Sequence, residues 1–115
     1  MCGFVATFTQ SPVSEARLRA AMHRMQMRGP DGEGLWMDDE AALGHCRLAI
    51  LDVDPRASQP MHSSCGRYVI IFNGEIYNFR DLRTRLQVSG VQFRTTSDTE
   101  VILALFAAEG PAMLD

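Results

Sequence analysis

Cys2 is the residue with the clearest capacity for chemistry, because it directly follows the initiator methionine. Removal of Met1 requires a small second side chain, and cysteine meets that requirement. The mature chain would then begin with a thiol and a free α-amine on one residue. A free α-amine titrates near neutral pH, so part of it is neutral and can serve as the base for the neighbouring thiol. Cys2 is therefore a candidate N-terminal nucleophile; the alternative is an ordinary buried or surface thiol.

Four further residues carry groups that could bind a polar substrate. Asn73 and Gly74 follow an apolar run, and a side-chain amide beside a backbone N–H makes a pair of donors suited to an oxyanion hole; an ordinary turn is the alternative. Arg47 lies among apolar neighbours, where an arginine needs an anionic partner, either a structural carboxylate or that of a ligand. Asp98 is expected in the first turn of a helix, where it either complements the helix dipole or faces a ligand ammonium.

Composition and charge narrow the class of protein and its partners. The chain has 115 residues, 46% of them apolar, which is enough for a buried core in one domain or part of one. Its net charge of -3, without a basic run, gives no reason to expect nucleic acid or an anionic membrane, and neither a membrane span nor a signal peptide is recognisable. We therefore expect a small-molecule partner.

The cysteines and histidines indicate the compartment and argue against a metal site. The three cysteines are an odd number without a CxxC pair, which favours a reducing, cytoplasmic location. The three histidines have no metal-site spacing and are interpreted as structural or solvated. No metal is predicted. The residues concerned are Cys2, Cys46, Cys65, His23, His45 and His62.

The hydrophobic pattern predicts strands and helices that hold these positions in place. The run at 68–72 is typical of a strand buried on both faces, and the Gly- and Pro-rich stretch at 28–34 is a connecting loop. In chain order we predict a strand at 4–9, a helix at 14–27, a hairpin of 35–37 with 41–48, a polar loop at 53–66, a strand at 68–72, and helices at 79–88 and 101–108.

The helix ends are predicted from their capping residues. Leu18 and Met22 give the first helix an apolar face. Asn78 is the expected N-cap of the helix at 79–88. Ser97 with Glu100 three residues later is expected to form a capping box before the last helix.

Six motifs in this order resemble the glutaminase domain of the asparagine synthetase family, a class II glutamine amidotransferase of the N-terminal-nucleophile group. The resemblance covers essentially the whole chain. The motifs are Met1-Cys2-Gly3, Arg28-Gly29-Pro30-Asp31, Gly44-His45-Cys46-Arg47-Leu48-Ala49-Ile50, Gln59-Pro60, Asn73-Gly74-Glu75-Ile76-Tyr77-Asn78 and Ser97-Asp98-Thr99-Glu100-Val101-Ile102-Leu103.

The resemblance implies an α+β fold, the αββα sandwich of the N-terminal-nucleophile (Ntn) hydrolases. Such a domain needs considerably more chain, so the sandwich is expected to be incomplete at the C-terminus. We interpret residues 1–115 as the N-terminal part of a glutaminase domain, with the synthetase domain absent from this sequence.

The resemblance also implies a role for each site residue. Cys2 would attack the side-chain amide of glutamine with its own α-amine as base, giving a thioester and ammonia, and water would then release glutamate. Asn73 and Gly74 would line the oxyanion hole. Arg47 would pair with the substrate α-carboxylate, and Asp98 with Glu75 would hold the α-ammonium. Backbone groups would complete the pocket from Arg47, Leu48, Ala49, Ile50 and Leu51.

The implied partners are glutamine and a C-terminal synthetase domain. No cofactor is expected in the glutaminase domain itself, whereas ATP and Mg would serve the synthetase domain. Neither nucleic acid nor a membrane is expected, and a homodimer is left open, as is the amide acceptor. Two alternatives also remain: an Ntn amidotransferase of the phosphoribosyl or hexosamine type, and a non-catalytic remnant that binds glutamine.

Overall fold

A computed structural model describes residues 1–50 and 53–114, which form two compact units. The first unit comprises residues 1–50, 58–60 and 71–73, and the second takes up the other described residues. Each unit combines helix with antiparallel sheet. The mixture of helix and sheet agrees with the α+β class expected from the sequence.

The first unit is built on a three-stranded antiparallel sheet with one helix against it. Its strands are β1 (Gly3–Phe8), β2 (Gly32–Met37) and β3 (Ala41–Arg47), with β3 in the centre, and its helix is α1 (Glu15–His23). The register places Gly3 opposite Cys46 and Gly32 opposite Arg47. The starts of both outer strands therefore meet the end of β3. The predicted hairpin is confirmed, but β2 begins at Gly32, within the stretch 28–34 that the sequence predicts as a loop.

One face of this sheet forms the core of the first unit. Side chains alternate between the two faces of a strand, and residues paired across strands share a face. Val5, Ala42 and Cys46 lie on the face that packs against Leu18 and Met22 of α1. Both helix residues are buried, as their spacing predicts.

The other face of the sheet carries large apolar side chains that remain partly exposed. Phe4 pairs with His45, and Phe8 pairs with Ala41, so all four residues lie on the side away from α1. Phe4 is 46% exposed and Phe8 is 78% exposed, whereas His45 is fully buried.

Helix α1 ends earlier than the sequence predicts. It stops at His23, and a 3₁₀ turn at Gln26–Arg28 follows in place of the expected helical turn. The tighter turn brings Gly29 against the backbone of β3. A continued α-helix would carry Gly29 past this position.

The second unit consists of a short hairpin and two helices. Its strands are β4 (Met61–His62) and β5 (Val69–Ile70), and its helices are α2 (Phe79–Val88) and α3 (Asp98–Glu109). A 3₁₀ turn at Gly110–Leu114 follows α3. Two small clusters form its interior, one with Leu86, Val101 and Leu105 and the other with Ala57, Met61 and Leu103.

The predicted strand at 68–72, buried on both faces, is wrong. Only Val69 and Ile70 pair in β5, and every residue of the run is half-buried. At Phe72 the backbone hydrogen bonds go to two side chains in place of a neighbouring strand. An apolar run in the sequence cannot reveal that side chains take the place of a neighbouring strand as hydrogen-bond partners.

The two predicted helix caps have different outcomes. Ser97 caps α3, since its hydroxyl accepts a hydrogen bond from the Thr99 N–H at 3.1 Å. The predicted capping box is wrong, because the Ser97 N–H donates to the Thr95 hydroxyl, and the Glu100 carboxylate accepts from the Thr95 N–H and hydroxyl at 2.7 and 2.6 Å. Asn78 is the N-cap residue of α2, as predicted, but its side chain makes no capping hydrogen bond; its backbone carbonyl accepts from the N–H groups of Asp81 and Leu82.

Candidate active site

The thiol of Cys2 lies against the backbone of the segment that follows β3. Its sulfur accepts a hydrogen bond from the Leu48 N–H at 3.2 Å and is 3.5 Å from the Leu48 carbonyl, to which it can donate. This contact follows from the antiparallel register, because Cys2 immediately precedes β1 and Leu48 immediately follows β3. The fold thus brings together two stretches that the sequence predicts as parts of the site.

The loop at 28–31 fixes that segment from the other side. A Cβ atom at Gly29 would lie 2.2 Å from the Cys46 carbonyl oxygen, so the loop can approach β3 only because this residue is glycine. The Asp31 N–H donates to the Arg47 carbonyl at 2.9 Å, and the Ala49 N–H donates to the Asp31 carboxylate at 2.9 Å. This loop is more than a connector, since it positions the residues beside the thiol.

Arg28 contacts the first residues of the chain directly. Its Nε–H donates to the Cys2 carbonyl at 3.4 Å, and its side chain also lies beside Gly3, where a Cβ would be 3.4 Å from Arg28 Cδ. Sequence reasoning assigns no role to Arg28. Its place in the motif Arg28-Gly29-Pro30-Asp31 is the signal that could have marked it.

The segment 47–51 is predicted to contribute substrate contacts. Arg47 is half-buried at the end of β3, as are Leu48 and Ala49 after it. The backbone N–H groups of Leu48 and Ala49 bond to Cys2 and Asp31 within the protein. Ile50 is 73% exposed, and Leu51 lies outside the described residues. The contacts of this segment with a substrate stay a prediction.

Asn73, the candidate oxyanion donor, is half-buried and belongs to the first unit. The residue before it is held by two side chains: the Phe72 N–H donates to Gln59 Oε1 at 2.5 Å, and the Phe72 carbonyl lies 3.3 Å from His45 Nε2. A carbonyl only accepts, so Nε2 of His45 carries the proton. Burial lowers the pKa of His45; the hydrogen bond to Phe72 opposes this shift, and the charge of Arg47 adds to it. His45 is therefore held as a neutral imidazole.

The predicted ammonium-binding residues belong to the second unit. Asp98 is buried at the start of α3, and its Oδ2 accepts a hydrogen bond from the Ile76 N–H at 3.1 Å. This contact brings Asp98 next to the chain that follows Glu75. Glu75 and Gly74 are exposed. The placement of Asp98 at a helix start also suits the dipole, so its role toward an ammonium stays a prediction.

The two other cysteines differ from Cys2 in their surroundings. Cys46 is buried with its sulfur 3.4 Å from the Met22 carbonyl, and burial raises the pKa of its thiol. Cys65 is exposed, and a hydrogen bond with the Ser63 hydroxyl at 3.3 Å lowers the pKa of its thiol.

Within residues 1–50 and 53–114, no group of three or more His, Cys, Asp or Glu side chains is arranged to hold a metal ion. In the same part of the chain, no helix has the length and apolar character needed to cross a bilayer.

Comparison with known families identifies the class of protein to which this chain belongs. The family model described as glutamine amidotransferase domain matches residues 1–115, and the chain belongs to that family.

Among the similar proteins, asparagine synthetase [glutamine-hydrolyzing] 1 of Bacillus subtilis is 42% identical over 111 residues, covering 92% of this chain and 17% of that protein. Asparagine synthetase B of Escherichia coli is 41% identical over 118 residues, covering 100% of this chain and 21% of that protein. The probable asparagine synthetase of Schizosaccharomyces pombe is 41% identical with the same two coverages. The chain thus spans about a fifth of the length of these relatives.

Proposed function

We propose that this chain hydrolyses glutamine to glutamate and ammonia, and supplies the ammonia to an asparagine synthetase-type amidation. The observation that carries the proposal is the position of the Cys2 thiol, held by the Leu48 backbone directly after Arg47. The Cys2 thiol is a nucleophile that could attack an amide. Arg47, next to the Leu48 that contacts this thiol, is a cation that could bind a carboxylate. The two groups together suit a substrate that has both an amide and a carboxylate. The glutamine-hydrolysing relatives support the same substrate.

The proposed reaction begins once Met1 is removed. The neutral α-amine of Cys2 takes the thiol proton, and the thiolate attacks the amide carbon of glutamine. The Asn73 side-chain amide and the Gly74 N–H stabilise the oxyanion of the tetrahedral intermediate. The protonated amine gives its proton to the leaving nitrogen, so ammonia departs and a glutamyl thioester remains. The amine then takes a proton from the water that adds to the thioester and returns it to the departing sulfur, so that glutamate is released and the thiol is restored.

Charged groups would orient the two ends of glutamine. Arg47 would form a two-pronged contact with the α-carboxylate. Asp98, whose carboxylate is already buried and oriented by Ile76, would hold the α-ammonium together with Glu75. Backbone groups of residues 47–51 would complete the pocket.

The lengths of the relatives support a larger assembly. Because the chain covers 17% to 21% of them, we propose that it functions with a C-terminal synthetase domain. ATP and Mg²⁺ would serve that domain, and a reducing cytoplasm would keep the Cys2 thiol free.

We also propose that the sheet of the first unit is one layer of an Ntn αββα sandwich. Helix α1 covers one face, while the opposite face presents Phe4 and the 78% exposed Phe8, which a second sheet would bury. The isolated chain should therefore associate, and Phe8→Ser should weaken that association in sedimentation experiments. Met27→Ser is a matched control, because Met27 is 95% exposed but lies on the 3₁₀ turn. Equal effects of both substitutions would contradict the proposed layer.

The central experiment separates the thiol from the amine. In the protein that carries this chain with its synthetase domain, Cys2→Ala should abolish glutamate release and leave ammonia-dependent synthesis intact. A second variant retains Met1 through a bulky residue inserted after it, which preserves the thiol but converts the amine into an amide.

The Met1-retaining variant should be nearly as inactive as Cys2→Ala, with intact mass confirming the state of the N-terminus. Near-normal hydrolysis by that variant would mean that a side chain acts as the base. Glutamine binding without any hydrolysis by the wild type would instead indicate a non-catalytic remnant.

A further inference from the structure

Both backbone polar groups of Phe72 are engaged by side chains from distant parts of the first unit. Gln59 accepts from the Phe72 N–H at 2.5 Å, and His45 bonds the Phe72 carbonyl at 3.3 Å. Strand β5 ends at Ile70, so within the described part of the chain Phe72 belongs to no strand ladder. The two side chains therefore fix the peptide groups on either side of Phe72, immediately before Asn73.

The two side chains are themselves anchored at one point of the sheet. His45 is fully buried in the central strand β3, and its register partner on β2 is Gly34. The backbone of Gln59 crosses that same position, because a Cβ at Gly34 would lie 2.3 Å from the Gln59 carbonyl oxygen. A residue without a side chain thus lets Gln59 approach beside His45.

Among the described residues, His45 makes its side-chain hydrogen bond through Nε2, to the Phe72 carbonyl. Its Nδ1 is buried and has no hydrogen-bond partner within the described part of the chain. A buried imidazole with an unpaired nitrogen is unfavourable for the fold alone, since an apolar side chain would fill the same space without a polar atom. The Nε2 contact is therefore the feature that distinguishes histidine from leucine at this position.

We infer that His45 and Gln59 are positioning residues that set the place of the Asn73 oxyanion donor by clamping Phe72. The inference rests on the proposed glutaminase function. Oxyanion donors act at about 2.7 to 3.1 Å, and a displacement of about 1 Å can lower the rate about 100-fold. A donor that follows a strand end without ladder bonds needs such a clamp.

The test compares kcat and KM for glutamate release in the protein with its synthetase domain. His45→Leu and Gln59→Leu should each lower kcat by about 10- to 100-fold with little change in KM for glutamine. The matched variant His45→Gln keeps a donor for the Phe72 carbonyl, and Gln59→Glu keeps an acceptor for the Phe72 N–H. Both matched variants should retain most of the activity. Equal losses in the matched and the leucine variants would overturn the inference.

A double-mutant cycle then distinguishes positioning from general stability. If His45 acts through Asn73, His45→Leu should have little further effect on kcat once Asn73→Ala is present. Fully additive losses would overturn the inference. If Asn73→Ala alone leaves kcat unchanged, the oxyanion assignment has failed instead.

The folded state of each variant is checked by its melting curve. Should His45→Leu not fold, Gln59→Leu in its loop decides the question by the same cycle. Unfolding of both variants would overturn the inference in favour of a clamp that serves the fold alone.

Discussion

Gly29→Ala should disrupt the candidate site without touching any group that performs chemistry. The added Cβ would lie 2.2 Å from the Cys46 carbonyl oxygen and 2.6 Å from the Arg47 nitrogen, whereas ordinary contacts begin at 3.4 Å. The loop at 28–31 must therefore retreat from β3 by about 1 Å. That movement lengthens both 2.9 Å hydrogen bonds of Asp31, which join the loop to Arg47 and Ala49.

The size of the effect follows from these contacts. Overpacking a tight position destabilises by about 1 to 3 kcal/mol, and each weakened hydrogen bond adds about 1 kcal/mol. We expect the free energy of unfolding to fall by about 3 to 5 kcal/mol. Because Leu48 lies between Arg47 and Ala49 and contacts the Cys2 sulfur, kcat/KM for glutamine should also fall, by about 100-fold.

Denaturant unfolding measures the first quantity, and glutamate release at low glutamine concentration measures the second. Gly32→Ala is the matched control, since a Cβ there meets nothing within 4 Å. It should change the free energy of unfolding by less than about 1 kcal/mol and leave turnover intact. If Gly29→Ala behaves like Gly32→Ala, the close approach at β3 does not constrain the site.

Three further outcomes are expected. Arg47→Lys should raise KM for glutamine strongly while ammonia-dependent synthesis continues, because lysine cannot reproduce a two-pronged contact with a carboxylate; an unchanged KM would remove Arg47 from the site. Asp98→Asn keeps an oxygen for the Ile76 N–H but loses the charge, so KM should rise with little loss of stability, and a normal KM would leave Asp98 with a structural role only. Because the pKa of His45 is lowered in the folded protein, the unfolded chain binds the histidine proton first as pH falls. The free energy of unfolding is therefore retained above about pH 6.5 and declines below it, by at most about 1.4 kcal/mol per pH unit. Denaturation curves of His45→Gln should lack this contribution of His45 to the decline.

Elements with strong local signals could be predicted from the sequence. Helix α2 has the predicted bounds, and Gly90 beyond its end adopts the positive φ of 94° that favours glycine. The hairpin of β2 and β3 follows from two short apolar runs around an acidic turn. The N-cap of α3 also follows from local sequence, because the Ser97 hydroxyl accepts a hydrogen bond from the Thr99 N–H, two residues further on. In each case the determining residues lie within a few positions of the element.

Features that depend on distant residues could not be predicted. The run at 68–72 reads as a long strand, yet Phe72 bonds to side chains 13 and 27 positions away, at Gln59 and His45. Likewise, Gly29 looks like a loop residue until its approach to Cys46 is known. The nearness of Cys2 to Leu48 was expected through the family resemblance, because residue types alone do not fix the register that joins β1 to β3.

The exposed Cys65 complicates any attempt to count active nucleophiles with a thiol reagent. Iodoacetamide reacts with thiolates, and the Ser63 hydrogen bond that lowers the pKa of Cys65 favours that form on an accessible side chain. Alkylation of Cys65 would add mass without inactivating the protein, so the label incorporated would exceed the number of blocked sites. Cys46 would contribute little, since it is buried with a raised pKa. In a Cys65→Ser background, one equivalent of label would therefore correspond to one modified Cys2.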